Sequence, residues 1–132
     1  MLNQGIDVKQ MIADLPHGLD RAILRVLSYH VGRENAISRQ DLLEAVASHG
    51  FIVQDRQLRL AINEQKKQGV MICSTGGVNG GYWLAANWSE LQEYIDRELH
   101  SRAMDLLEQE QALKAAAEKR WGKYSIQERL PI

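Results

Sequence analysis

Residues 55–69 read Asp-Arg-Gln-Leu-Arg-Leu-Ala-Ile-Asn-Glu-Gln-Lys-Lys-Gln-Gly, and residues 70–85 continue Val-Met-Ile-Cys-Ser-Thr-Gly-Gly-Val-Asn-Gly-Gly-Tyr-Trp-Leu-Ala. Leu58, Ala61 and Ile62 fall at i, i+3 and i+4, one buried stripe of a helix that begins at Gln54 or Asp55. Gly69 ends that helix. Val70 to Ser74 then reads as a strand. The seven residues Thr75 to Gly81 include four glycines, a flexible hairpin tip. Tyr82 to Ala85 reads as the returning strand. A helix running straight into a hairpin decides the fold, so the flanking sequence is read around it.

Toward the N-terminus, Phe51-Ile52-Val53 makes a short apolar turn. Before it, Leu42, Leu43, Val46 and Ala47 mark the core side of a second helix, ended by Gly50. Ser38 is a good N-cap for that helix, with Asp41 three residues on. Ala36 and Ile37 read as a very short strand. Leu19, Ala22, Ile23, Val26 and Leu27 form the stripe of a first helix, with Val31 one turn later and Gly32 suited to a left-handed closing position. Residues 1–17 carry Val8, Met11, Ile12 and Leu15 at helical spacing before Pro16, which reads as a short N-terminal docking helix, with a second subunit as one surface it could dock on.

Toward the C-terminus a long helix is expected from Asn87 to about Arg120, with Asn87 and Glu90 as a capping pair. Leu91, Ile95, Leu99, Ala103, Leu106, Leu113, Ala117 and Trp121 line one side of it, at an average spacing above the coiled-coil repeat of about 3.5, so a long heptad supercoil is not expected. Acids cluster early and bases late, the order that complements the helix macrodipole. At 1.5 Å per residue such a helix would span roughly 50 Å, beyond the ~30 Å of a domain the size of residues 18–86. Part of the stripe would stand uncovered, so residues 87–121 are expected to make a homodimer through Leu91, Ile95, Leu99, Leu106 and Leu113. The competing reading folds this helix back on the domain. Gly122 ends it, and residues 122–132 read as a tail.

The order helix, short strand, helix, turn, helix, strand, glycine-rich tip, strand resembles the winged helix-turn-helix family of bacterial and phage DNA-binding proteins. The residues that carry the resemblance are Asp55-Arg56 with Arg59 and Ala61-Ile62, and Gly80-Gly81-Tyr82 leading into the second wing strand. It covers about half the chain and implies a mainly α fold with a small β-hairpin: a winged helix-turn-helix at 18–86 plus a long C-terminal helix. It also implies that the helix of residues 55–68 enters the major groove. With Leu58, Ala61, Ile62 and Gln65 inward, Arg56, Gln57, Arg59, Asn63 and Lys66 lie outward or on the flanks. Arg pairs guanine edges or phosphates, while Gln and Asn pair adenine. Arg56, Gln57 and Arg59, in the first turns, are the base-contact candidates; Asn63 and Lys66 suit phosphates. Ser38 and Arg39 open the second helix and could hold a phosphate by backbone N–H groups and charge. In the wing, Thr75 and Asn79 are the polar side chains of the tip, which carries no Arg or Lys.

Composition bounds the alternatives. The 132 residues are 45% hydrophobic and 25% charged, with a net charge of −1. Residues 18–85 hold eight Lys/Arg against six Asp/Glu, whereas residues 87–123 hold six against eight, so the positive part coincides with the candidate DNA reader. No apolar run approaches a membrane span of about 18 residues. No secretory signal is read at the N-terminus, and the lone Cys73 suits a reducing compartment, so a cytoplasmic, nucleoid-associated protein is expected. The four histidines are scattered and no metal-ligand spacing occurs. No nucleophile-base set emerges, and the tip lacks the Gly-Lys-Ser/Thr ending of a phosphate loop. The expected function is therefore non-catalytic duplex-DNA binding by a dimeric transcriptional regulator or phage-type accessory factor, with no cofactor and no small-molecule ligand. The alternative is a protein–protein interaction module on the same scaffold, suggested by the near-neutral charge and the uncharged wing.

Overall fold

The computed structural model describes residues 8–77 and 80–123, the side chain of Val8 excepted. The first part of the 1–17 segment, the tip residue Asn79 and the 124–132 part of the tail lie outside the described residues. The chain is mainly helical with a small antiparallel sheet, and it divides into two compact units, Met1–Tyr94 and Ile95–Ile132.

The first unit opens with α1 (Val8–Ala13) and α2 (Leu19–Leu27). Helix α2 buries Leu19, Ala22, Ile23, Val26 and Leu27, the stripe read from the sequence. It stops earlier than the apolar pattern suggested. The Ser28 hydroxyl donates to the Arg25 carbonyl, a local bond that competes with helix continuation. Beyond it, the His30 carbonyl accepts from Leu84 N–H, and Gly32 N–H donates to the Leu84 carbonyl. Val31 is thus a bridge residue beside the sheet, 42% exposed, and Gly32, at φ +92° and ψ 145°, precedes a 3-10 turn (Arg33–Asn35) instead of closing the helix.

Helix α3 (Arg39–Ser48) follows β1 (Ile37–Ser38), and α4 (Asp55–Lys67) follows the turn at 51–54. The two helices end alike. Gly50 and Gly69 each adopt positive φ, near +95° and +93°. Gly50 N–H donates to Ala47 O and Phe51 N–H to Val46 O; Gly69 N–H donates to Lys66 O and Val70 N–H to Gln65 O. This paired bonding satisfies carbonyls that a helix end leaves open. Phe51 and Val70, next in the chain, pack against the main core.

The sheet has three strands in the order β1-β3-β2, with β2 at Ile72–Thr75 and β3 at Gly81–Leu84. The expected hairpin is present, and β1 adds a third strand to it, pairing Ile37 with Tyr82 and Ser38 with Gly81. A Cβ on Gly81 would lie 2.6 Å from the Ile37 carbonyl oxygen, so the approach of β1 to β3 requires glycine there. Alternation sends Ile72, Tyr82 and Leu84 toward the helices. Cys73 and Trp83 face the other way, into a second small core with Tyr94 that Leu91 and Ala85 flank. Helix α5 (Trp88–Tyr94) supplies Leu91 and Tyr94 to this core; Glu90 N–H donates to the Asn87 side chain, as the capping pair predicts.

The second unit holds a π-helical turn (Ile95–His100) and α6 (Ser101–Trp121), the long C-terminal helix. The single long α-helix expected from residue 87 is therefore interrupted. Ser101 Oγ donates to the Asp96 carbonyl at 3.1 Å, giving that turn a side-chain bond across five residues. No helix among the described residues is long and apolar enough to cross a membrane.

Candidate nucleic-acid interface

Helix α4 is two-sided. Leu58, Ala61, Ile62 and Gln65 are buried, whereas Arg56, Arg59 and Asn63 are exposed. Its four internal anchors include one polar group. The Gln65 Nε2 donates to the Asp20 carbonyl of α2 at 3.0 Å, which explains an amide at an otherwise apolar position. The first turn is fixed by a reciprocal cap between Gln54 and Gln57, with Gln54 N–H donating to Gln57 Oε1 at 2.9 Å. Gln57 is half-buried, so the side chain read as a base contact serves the helix start in this structure. The Gln-x-x-Gln spacing was the sequence signal for that role.

Asp55 organises the exposed arginines. Arg39 Nε lies 3.0 Å from Asp55 Oδ1, and Arg59 Nε lies 3.1 Å from Asp55 Oδ2. The first is a charge contact without hydrogen-bond alignment. One carboxylate thus gathers a guanidinium from the start of α3 and one from α4. Both arginine side chains remain more than half exposed, so each pair contributes little to stability. Tyr82 is close enough to feel the group: burial raises its hydroxyl pKa and Asp55 adds to the rise, while Arg39 and Arg59 oppose it.

The other candidates separate. Arg56 is exposed, with Nη2 3.6 Å from Met11 Sδ of α1. Ser38 caps α3, its Oγ accepting from Asp41 N–H at 3.1 Å, and Arg39 follows as the first helical residue. Lys66 turns inward. Its ammonium donates to Tyr94 Oη at 2.7 Å and Ser74 Oγ at 3.1 Å, and sits 5.1 Å from the Tyr94 ring centre. Two of its three N–H donors are thereby taken up within the chain. Thr75 is half-buried at the end of β2, and Asn79 lies outside the described residues. Arg33, which the sequence did not single out, lines a shallow recess with Ser38, Thr75 and Trp83; its guanidinium pairs with Glu93 at 3.3 Å.

Of the residues assigned to dimerisation, Leu91 packs within its own chain against the Cys73–Trp83–Tyr94 cluster, and Ile95 is half-buried. Leu99, Leu106 and Leu113 are exposed. Leu15, in the N-terminal docking segment, packs against the chain's own main core. Burial pushes the Cys73 thiol up to about 11, with Glu90 adding and Lys66 opposing. Among the described residues no group of three His, Cys, Asp or Glu is placed to hold a metal ion. No protein-family model, curated protein or solved structure matches the chain.

Proposed function

We propose that residues 18–86 act as a winged helix-turn-helix that binds duplex DNA, with α4 entering the major groove. The observation that carries this reading is the division of α4 into an anchored face and a polar one. A groove-reading helix needs its inner face fixed and several long polar side chains free to reach base edges. Arg56, Arg59 and Asn63 meet that need, and Arg39 joins them through Asp55. Gln57 and Lys66 lose weight as contacts because they serve the fold. On this reading the protein works without a catalytic step, as a regulator or accessory factor located with the DNA.

Duplex binding measured against salt tests it. Affinity should fall steeply as salt rises, and Arg56→Ala with Arg59→Ala should weaken low-salt binding at least about tenfold and lower the salt slope by about two. Binding to no duplex pool at low ionic strength, or binding indifferent to the double substitution, would sink the reading.

A protein–protein role on the same scaffold draws support from two observations. Asp55 partly neutralises Arg39 and Arg59, and Ile52, beside α4, is 91% exposed. It gains if the chain captures a protein partner through Ile52 while ignoring duplex DNA.

A further inference from the structure

Helix α6 has 21 residues, and none of them is buried. Met104, Leu106, Leu107, Leu113 and Trp121 are all at least 45% exposed. Most helical stability in proteins comes from packing an apolar face, so a helix left like this lacks its cover. The pattern on the helix says what kind of cover fits. Ala103, Leu107, Glu110, Lys114, Ala117 and Trp121 follow one another in alternating steps of four and three. Alternating steps of four and three are the pattern of a seam between two helices. Leu91 to Ala103 advance by fours instead, across the π-helical turn, which lifts the average when the whole stripe is taken together.

The seam has charges at its middle. Glu110 and Lys114 form an ion pair along the helix, Nζ to Oε2 3.4 Å. In a parallel pair of identical helices, each would meet itself, acid against acid and base against base. Reversing one helix sets Glu110 opposite Lys114 of the second copy, twice, about a two-fold axis at residue 112. The same register sets Ala103 opposite Trp121 and Leu107 opposite Ala117, large against small at each layer. Leu113 then lies beside the axis on both copies. The wider charge distribution leans the same way: Arg102, Asp105 and Glu108 stand in the first half of α6 and Glu118, Lys119 and Arg120 in the second, one excess acid against one excess base.

We infer that α6 pairs antiparallel with α6 of a second copy of this chain, about an axis at residue 112. The inference is independent of DNA binding. Sedimentation equilibrium of the full chain should give twice the 15.0 kDa monomer mass at micromolar concentration. Leu107→Glu should return the monomer, with the far-ultraviolet signal of the first unit retained. Lys114→Glu should weaken association about tenfold or more, and adding Glu110→Lys to it should restore association, because the opposed charges are then merely exchanged. Chains carrying Ala103→Cys mixed with chains carrying Trp121→Cys should form the mixed disulfide, and Ala103→Cys alone should not cross-link to itself; Cys73, fully buried, stays out of the reaction. A monomer throughout, a mass unaffected by Leu107→Glu, a double exchange no better than Lys114→Glu, or a 103-to-103 disulfide would each overturn the inference.

Discussion

Helices α4 and α6 carry similar mixtures of Leu, Ala, Gln, Glu and Lys, yet the molecule uses them in opposite ways. Helix α4 has 13 residues and buries four of them, including a glutamine. Helix α6 has 21 and buries none. In α4 the apolar face is spent inside the chain, so its polar face is what remains to offer a partner. In α6 the apolar side chains themselves remain exposed. Amphipathicity alone therefore does not say which side of a helix is functional; that depends on which side the rest of the chain has already covered.

The contrast can be broken or sharpened by paired measurements. The largest difference should be in thiol reactivity. Cys73, fully buried behind the sheet, should alkylate at least about a thousandfold more slowly at pH 8 than a cysteine placed by Ala115→Cys on α6, because reaction waits for unfolding. Because the folded state holds the thiol proton more tightly than the ordinary 9.0, that contribution to stability is whole below about pH 9 and is lost as pH rises through about 11. Denaturant midpoints above pH 9 check the sign.

Next in size is core truncation. Leu58→Ala should cost about 2–5 kcal/mol, whereas Leu106→Ala, at a dilution that keeps copies apart, should stay within about 0.5 kcal/mol. Urea unfolding of both variants would erase the distinction if the two costs were alike. Gln65→Ala should cost about 1–3 kcal/mol, because its amide ties α4 to α2. Gln111→Ala, exposed on α6, should be close to neutral. The smallest effect concerns Asp55. Asp55→Asn releases the Arg39 and Arg59 guanidiniums and should tighten low-salt duplex binding only about two- to fivefold. Unchanged binding in a protein whose wild type does bind duplex would mean that the carboxylate does not restrain those arginines.

Local pattern made much of this legible. Helices α2, α3 and α4 were readable from apolar spacing, Ser38 from its position before Asp41, and the hairpin from glycines between two apolar runs. What escaped depends on residues far apart in the chain. Lys66 leaves the exposed face because Ser74, eight residues on, and Tyr94, 28 residues on, supply oxygen atoms that only the folded chain turns toward it. Asp55 reads as an ordinary first-turn acid until α3 brings Arg39 beside it. Leu91 looked continuous with Leu99 and Leu106, but a core built by Trp83 and Tyr94 takes it up. The π-helical turn has no apolar signature of its own beyond a run of steps of four.

The endings of α3 and α4 have one more consequence. In each, the glycine that stops the helix is followed at once by a residue of the core, Phe51 or Val70. The last turn of either helix cannot unwind without dragging that side chain into water. Fraying, usually the easiest motion of a helix, is thereby joined to loss of the core. Amide protons in these closing turns should exchange with solvent only on the timescale of whole-unit opening, leaving the first unit to melt as one cooperative body.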